Sequence, residues 1–263
     1  MLAFLRREAR RLLDGVRRLD RQMVVVLTLA VALLLLQMQV GSRRFFWNHL
    51  ADLVPGPHQG LAAWGWWFGL QGVLGFVIPV AVLVVGFKRR PAEIGLGLGD
   101  WRLASVVALV YAVPVVVGTW VLSDGAGFQA QYPHFDGAKT AWRTFLLYEA
   151  LFLFYWVGWE YLWRGFVLFG TAPAFGAGAI VVQMVPFAIL HADKPVAEAY
   201  LSILGGLALG ALVWRCRSFW IAVPIHAFQM LALDLWCTLR ARSGAEGVGL
   251  GALAEALRHG WGG

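Results

Sequence analysis

Charge is scarce in this chain. Only 14% of its 263 residues are Asp, Glu, Lys or Arg, while 60% are hydrophobic and mean hydropathy is +0.67. A soluble domain carries roughly a quarter charged residues, so the deficit excludes an ordinary soluble globule. Cysteine is almost missing too. Cys216 and Cys237 fall at opposite ends of one apolar run, too far apart along a helix to pair. Neither a disulfide framework nor a thiolate metal site is expected. The apolar runs lack the alternation of barrel strands, which leaves helices as the way to satisfy backbone polar groups in lipid. No small-residue cleavage site follows the first apolar run, so a cleavable signal peptide is not expected. No internal repeat is visible, and no separate soluble domain of ordinary size has room.

What is present reads as an all-α, polytopic transmembrane helix bundle. At about twenty apolar residues per crossing, spans are predicted at Met23–Val40, Leu61–Phe87, Leu103–Leu122, Ala141–Thr171, Ala174–His191, Val196–Trp214 and Phe219–Leu239. That makes seven, or eight if the tail or the amino-terminal helix inserts. The fourth is over-long and should tilt or kink. Residues 1–21 carry Arg6, Arg7, Arg10, Arg11, Arg17, Arg18 and Arg21 against Glu8, Asp14 and Asp20. They read as a basic amphipathic helix on an anionic membrane surface, ahead of a transmembrane domain over 22–240 and an interfacial tail over 241–263. Nucleic acid is not an expected partner, because no aromatic-basic platform accompanies the arginines. Lys88, Arg89, Arg90, Arg215 and Arg217 then place the amino terminus in the cytoplasm of an inner membrane, although Arg43, Arg44, Arg240 and Arg242 run against that bias. Small residues Gly205, Gly206 and Gly210 mark a close helix–helix contact.

The candidate chemistry lies in ionisable residues inside apolar runs, where each is a functional hypothesis by default. Glu160 and Arg164 sit four residues apart on one helix face. The bland reading is a structural ion pair; the sharper one is a general base tuned by a neighbouring cation. His191 ends the fifth predicted span, and His226 stands within Ala222-Val223-Pro224-Ile225-His226-Ala227-Phe228. Gln229 and Asp234 follow on the same helix, and Glu198 is placed near His191. One Glu with two His suits a zinc site with an open position, metal-free hydrolysis with an imidazole at the oxyanion, or a proton relay. Spacing does not choose among them. Counted from the cytoplasmic ends, Glu160 and His226 lie roughly 12–18 Å in and His191 roughly 25 Å in. Bringing them together needs unequal tilts or a kink.

Glu160-x-x-x-Arg164-Gly165, then Phe187-x-x-x-His191, then His226 in the last strong span, resembles the CPBP (ABI) family, which comprises CAAX proteases and bacteriocin-processing or immunity enzymes. The resemblance covers a core over 141–238. It implies about eight helices around a cavity in the membrane, with a Glu and a His activating water and a second His, helped by an Asn, at the oxyanion. Two positions depart from that pattern. Trp159 stands where the family has its first, catalytic glutamate, and Met230 stands where it has the Asn; a thioether donates no hydrogen bond.

The resulting expectation is an intramembrane endopeptidase acting on membrane-associated peptides or proteins. Glu160, Arg164, His191 and His226 carry the chemistry, with Gln229, Asp234 and Glu198 as substrate or oxyanion support. No cofactor is expected, and bound zinc would make it a metallopeptidase. The alternative is a catalytically inactive relative acting as a peptide-binding, immunity or scaffold partner.

Overall fold

The computed structural model describes residues 1–262, and its described elements are helices throughout. The amphipathic helix α1 (Leu2–Arg17) leaves Leu2, Leu5, Leu12 and Leu13 exposed, with its arginines around them. The Asp20 carboxylate accepts a hydrogen bond from the Met23 amide at 2.7 Å and so caps α2 (Arg21–Gln39). A short helix α3 (Arg43–His49) is capped by Ser42. The helical run α4 (Gly56–Gly86) returns, and α5 (Trp101–Leu122) starts on an Asp100 cap. Two short helices, α6 (Ala126–Gln131) and α7 (Gly137–Thr140), lie in the following loop. Next comes α8 (142–175), broken at Gly176 (φ 53°, ψ −135°). The bundle closes with α9 (Ala179–Ile189), α10 (Val196–Cys216), α11 (Ala222–Ser243) and the tail helix α12 (Leu250–His259).

Six helical runs are long and apolar enough to cross a membrane, where the sequence suggested seven or eight. The predicted fourth and fifth spans fall within one of them, Trp142–Ile189. The difference has a local cause. Helix α8 carries on past Thr171 to Phe175, so α9 begins at Ala179 rather than Ala174 and keeps only 11 residues, about 16 Å of helix. It folds back along α10, where Gly206 and Gly210 meet Met184, Phe187 and Ile180, and the Gln183 amide donates to the Gly206 carbonyl at 2.8 Å. A later start and a shorter helix bring His191 towards the level of Glu160. The anticipated mismatch of depth disappears.

Both ends of the bundle are tied by polar contacts. At one end Arg89 donates to Gln22, and Gln22 donates to the Gly170 carbonyl, each at 2.7 Å. At the other, buried Arg240 bonds Ser123, Asp124 and the Ala245 carbonyl, while Arg242 donates to the carbonyls of Thr140 and Gly260. These contacts hold the tail on α11, with Ala256 and Leu239 buried beside Trp120. Cys216 and Cys237 are both free and buried.

Helix α8 lies at the centre and touches α4 more closely than side chains permit. A Cβ on Gly158 would stand 2.2 Å from the Gln71 carbonyl oxygen and 2.7 Å from Gly72 Cα. Only hydrogen fits between those backbones. Gly158→Val should therefore lower stability by about 1–3 kcal/mol through overpacking, read as a lower thermal midpoint in detergent. Gly69→Ala on α4, whose Cβ would meet nothing within 4 Å, should be neutral. Equal midpoints for the two variants would remove this contact as a stabilising element.

Candidate active site

The site is built where α8 changes its winding. Glu160 ends an α-helical stretch, and Tyr161–Val167 continues as a π-helical segment before α geometry resumes at Leu168. Such insertions are frequent at functional sites. Every residue from Gly158 to Thr171 is buried, so Glu160 and Arg164 are charges in an apolar core. Arg164 Nη1 donates to Glu160 Oε1 at 3.2 Å, both side chains being fully buried. Its guanidinium carbon also lies 4.0 Å above the Phe187 ring, a cation–π contact that stabilises a desolvated charge.

His226 completes the arrangement from α11. Its Nδ1 is 2.6 Å from the same Glu160 Oε1. A carboxylate oxygen only accepts, so Nδ1 carries the proton and Nε2 keeps a lone pair. Trp156 covers one side of the imidazole, with ring centroids 4.2 Å apart. His191, in the turn after α9, holds Nδ1 2.7 Å from the Phe187 carbonyl oxygen, which by the same logic leaves its Nε2 with a free lone pair. Burial pushes His191 down to about 4, against the raising effect of the Phe187 carbonyl, and keeps the ring neutral at pH 7. Phe187 lies beside both imidazoles, with centroids 4.6 Å from His191 and 6.2 Å from His226.

These groups meet at a cavity of about 920 Å³ between α2, α4, α5, α10 and α11. Trp159, Arg164, His191 and His226 line it, whereas Glu160 lies behind the wall. Trp159 Nε1 and Arg164 Nε and Nη2 have no hydrogen-bond partner in the protein. A cavity that offers two imidazole lone pairs and unpaired N–H donors can take a proton from water and stabilise an oxyanion. A resident zinc would require a third protein ligand beside the two imidazoles. Among the described residues, no three His, Cys, Asp or Glu side chains converge.

The three supporting candidates occupy different places. Gln229 is on the cavity wall, accepting from the Tyr111 hydroxyl at 2.9 Å. Glu198 also lines the cavity, but in a separate polar cluster where it accepts from the Tyr132 hydroxyl at 2.5 and 2.6 Å. Asp234 does not reach the cavity. His226, Gln229, Met230 and Leu233 form the cavity face of α11, and the next position turns Asp234 into the interface with α8. Met230 lines the wall as an apolar residue.

Sequence reading missed Tyr132, His134, Lys194 and Arg43, all of which line the cavity. Lys194 Nζ lies 3.0 Å from both the Tyr132 hydroxyl and His134 Nε2. Burial pushes His134 down to about 3, with the Lys194 charge adding to the effect. Burial, reinforced by Glu198, holds the Tyr132 phenol well above its usual range. His134 lies in the loop after α5 and folds back over Trp64, which stacks on it at 5.7 Å. No motif marked it, because its position depends on how that loop returns.

The segment that supplies Glu160, Arg164, His191 and His226 also carries a family signature. Residues 141–232 match the model described as type II CAAX prenyl endopeptidase, Rce1-like. This domain belongs to the CPBP family. The chain is accordingly an integral membrane protein of the CAAX-protease-like kind. It matches no curated protein and no solved structure. At the family's two motif positions discussed above, the structure has Trp159 on the cavity wall and Met230 below it, so those groups are replaced by an indole and a thioether rather than displaced from the site.

Arg164 balances a carboxylate that no solvent reaches. Arg164→Met should cost about 3–5 kcal/mol, the usual penalty for leaving a buried charge without its partner. Glu160→Gln combined with Arg164→Met should recover part of that loss, as measured by unfolding in detergent. A loss below about 1 kcal/mol for Arg164→Met would mean that His226 alone neutralises Glu160.

Proposed function

We propose that this CPBP-domain protein is a membrane-embedded endopeptidase that hydrolyses peptide bonds of membrane-associated peptides or proteins. The observation that carries the reading is the single Glu160 Oε1 atom shared by Arg164 at 3.2 Å and His226 at 2.6 Å. It fixes the imidazole with Nε2 unprotonated on the wall of a large cavity.

In this reading Glu160 orients His226 and stabilises its imidazolium, much as a buried carboxylate serves a catalytic histidine. A water placed between the Nε2 atoms of His226 and His191 attacks the scissile carbonyl carbon. The C–O bond forms as His226 Nε2 takes the water proton. The oxyanion accepts hydrogen bonds from the unpaired N–H groups of Trp159 and Arg164, a role for which Met230 has no donor. Collapse breaks the C–N bond, and the imidazolium returns its proton to the leaving amine. Basic residues at the α1, Lys88–Arg90 and Arg215–Arg217 end support a cytoplasmic amino terminus.

A second reading, an inactive relative that captures a membrane peptide, is favoured by Trp159 and Met230 alone. Incubation of the detergent-purified protein with a membrane-peptide library separates the two. Cleavage is expected, unaffected by chelators, and reduced about 10²–10⁴-fold by Glu160→Gln and by His226→Ala. Peptide capture without cleavage by the unmodified chain would establish the inactive relative. Chelator-sensitive loss restored by zinc would instead establish a metallopeptidase.

The pH profile gives an independent check. His191 is held at about 4 by burial, so its lone pair survives acidification well below the usual imidazole range near 6.5. The acid limb attributable to His191 in kcat/KM should therefore fall near pH 4. Disappearance of this limb in His191→Gln would tie it to the ring. A limb near 6.5 that His191→Gln abolishes would place the imidazole in water.

A further inference from the structure

Two carboxyl groups take no part in the chemistry above. Glu149 on α8 and Asp234 on α11 lie within hydrogen-bonding range of one another. Asp234 is fully buried, and neither of its oxygens, nor Glu149 Oε1, receives a hydrogen bond from a protein donor. Among the described residues, neither side chain forms an ion pair. The titratable groups facing the pair are Tyr148 on α8, Tyr132 from the outer loop, Lys194 and Glu198 at the start of α10, and Cys237 on α11. Lys194 is the one cation among them, and its ammonium is directed at Tyr132 and His134.

Two carboxylates in contact at this depth repel strongly and have no cation to balance them. One proton between them turns repulsion into a short O–H···O⁻ hydrogen bond, among the strongest available. The location matters as much as the chemistry. Glu149 precedes Glu160 by eleven residues on α8, and Asp234 follows His226 by eight on α11. The carboxyl pair therefore bridges the same two helices as the Glu160–His226 contact, about 12–16 Å further along.

We propose that Glu149 and Asp234 share one proton and act as positioning residues, a second clasp between α8 and α11 that holds Glu160 against His226. Loss of the proton sets two charges face to face and parts the helices at that level. The Glu160–His226 contact then loosens without either residue being altered. The effect on cleavage rests on the peptidase reading; the clasp itself does not.

The test uses the full chain in detergent and the paired variant Glu149→Gln with Asp234→Asn, which keeps shape and hydrogen bonding but cannot titrate. Infrared spectroscopy should show a protonated-carboxyl stretch at neutral pH that shifts with ¹³C-aspartate labelling and is missing from the paired variant. The folded chain then binds one proton more than the unfolded chain. Its folding equilibrium should thus weaken by up to about tenfold per pH unit relative to the variant as pH rises. Where cleavage is measurable, kcat should fall at alkaline pH with KM unchanged, and the variant should lose that limb. Absence of the labelled band, or a stability difference that does not vary with pH, overturns the proposal. Should the variant fail to fold, titration of the labelled band in the unmodified chain decides the matter, since a band already gone at neutral pH also overturns it. If no peptide is cleaved, the peptidase reading fails while the infrared and stability measurements still judge the clasp.

Discussion

One carboxylate oxygen, Glu160 Oε1, ties this bundle together. It accepts from the guanidinium of its own helix and from an imidazole of another, at a place no solvent reaches. Neither contact alone would suffice. An unpaired carboxylate in such surroundings is too costly to retain, and an imidazole without it has nothing to fix its tautomer. The aromatic shell follows from the same requirement. Trp156 lies against His226, and Phe187 lies beneath Arg164, so each charged or polar partner is held by a ring that excludes water and adds its own electrostatic attraction. The close glycine contact of α8 with α4 then anchors the carrier helix from behind.

The cavity has two polar regions with different chemistry. Near α8 and α11 the exposed groups are imidazole lone pairs and unpaired N–H donors, suited to proton transfer and oxyanion stabilisation. Near the α9–α10 turn, Tyr132, His134, Lys194 and Glu198 form a closed chain of hydrogen bonds. That chain is largely satisfied within itself and supports the wall. Apolar residues of α2, α5 and α10, such as Leu34, Val107 and Leu204, line the space between. A substrate with extended apolar character suits such a space better than a compact polar one.

Much of this was legible in the chain because hydrocarbon makes charge conspicuous. Glu160, Arg164, His191 and His226 stood out as ionisable residues in runs that should carry none, and the structure brings Glu160, Arg164 and His226 into contact with His191 on the same wall. Hydropathy also located the helices, but not their ends. The fifth predicted span absorbed residues that continue α8 to Phe175, because composition does not change at the break and only the backbone of Gly176 records it. Partners across helices were not legible either. Asp234 read as a neighbour of His226 by sequence distance, yet one residue past the cavity-facing Leu233 turns it to Glu149. Tyr132 and His134 looked like ordinary loop residues, since nothing local shows that the loop folds inward.

The π-helical segment at Tyr161–Val167 has a consequence for how this helix can change over time. A π segment holds an extra residue within the winding of a helix, so everything beyond it is turned by about 100° relative to an uninterrupted α-helix. Residues before it face His226, while residues after it, such as Gly170, meet Val26 of α2. Loss of a single codon here would leave a good hydrophobic helix of nearly the same length and break one of those two alignments. The segment therefore links the spacing of the acidic and basic positions to the seating of the first membrane helix. Insertions and deletions, more than substitutions, are what lineages descending from this chain can least absorb between those two points.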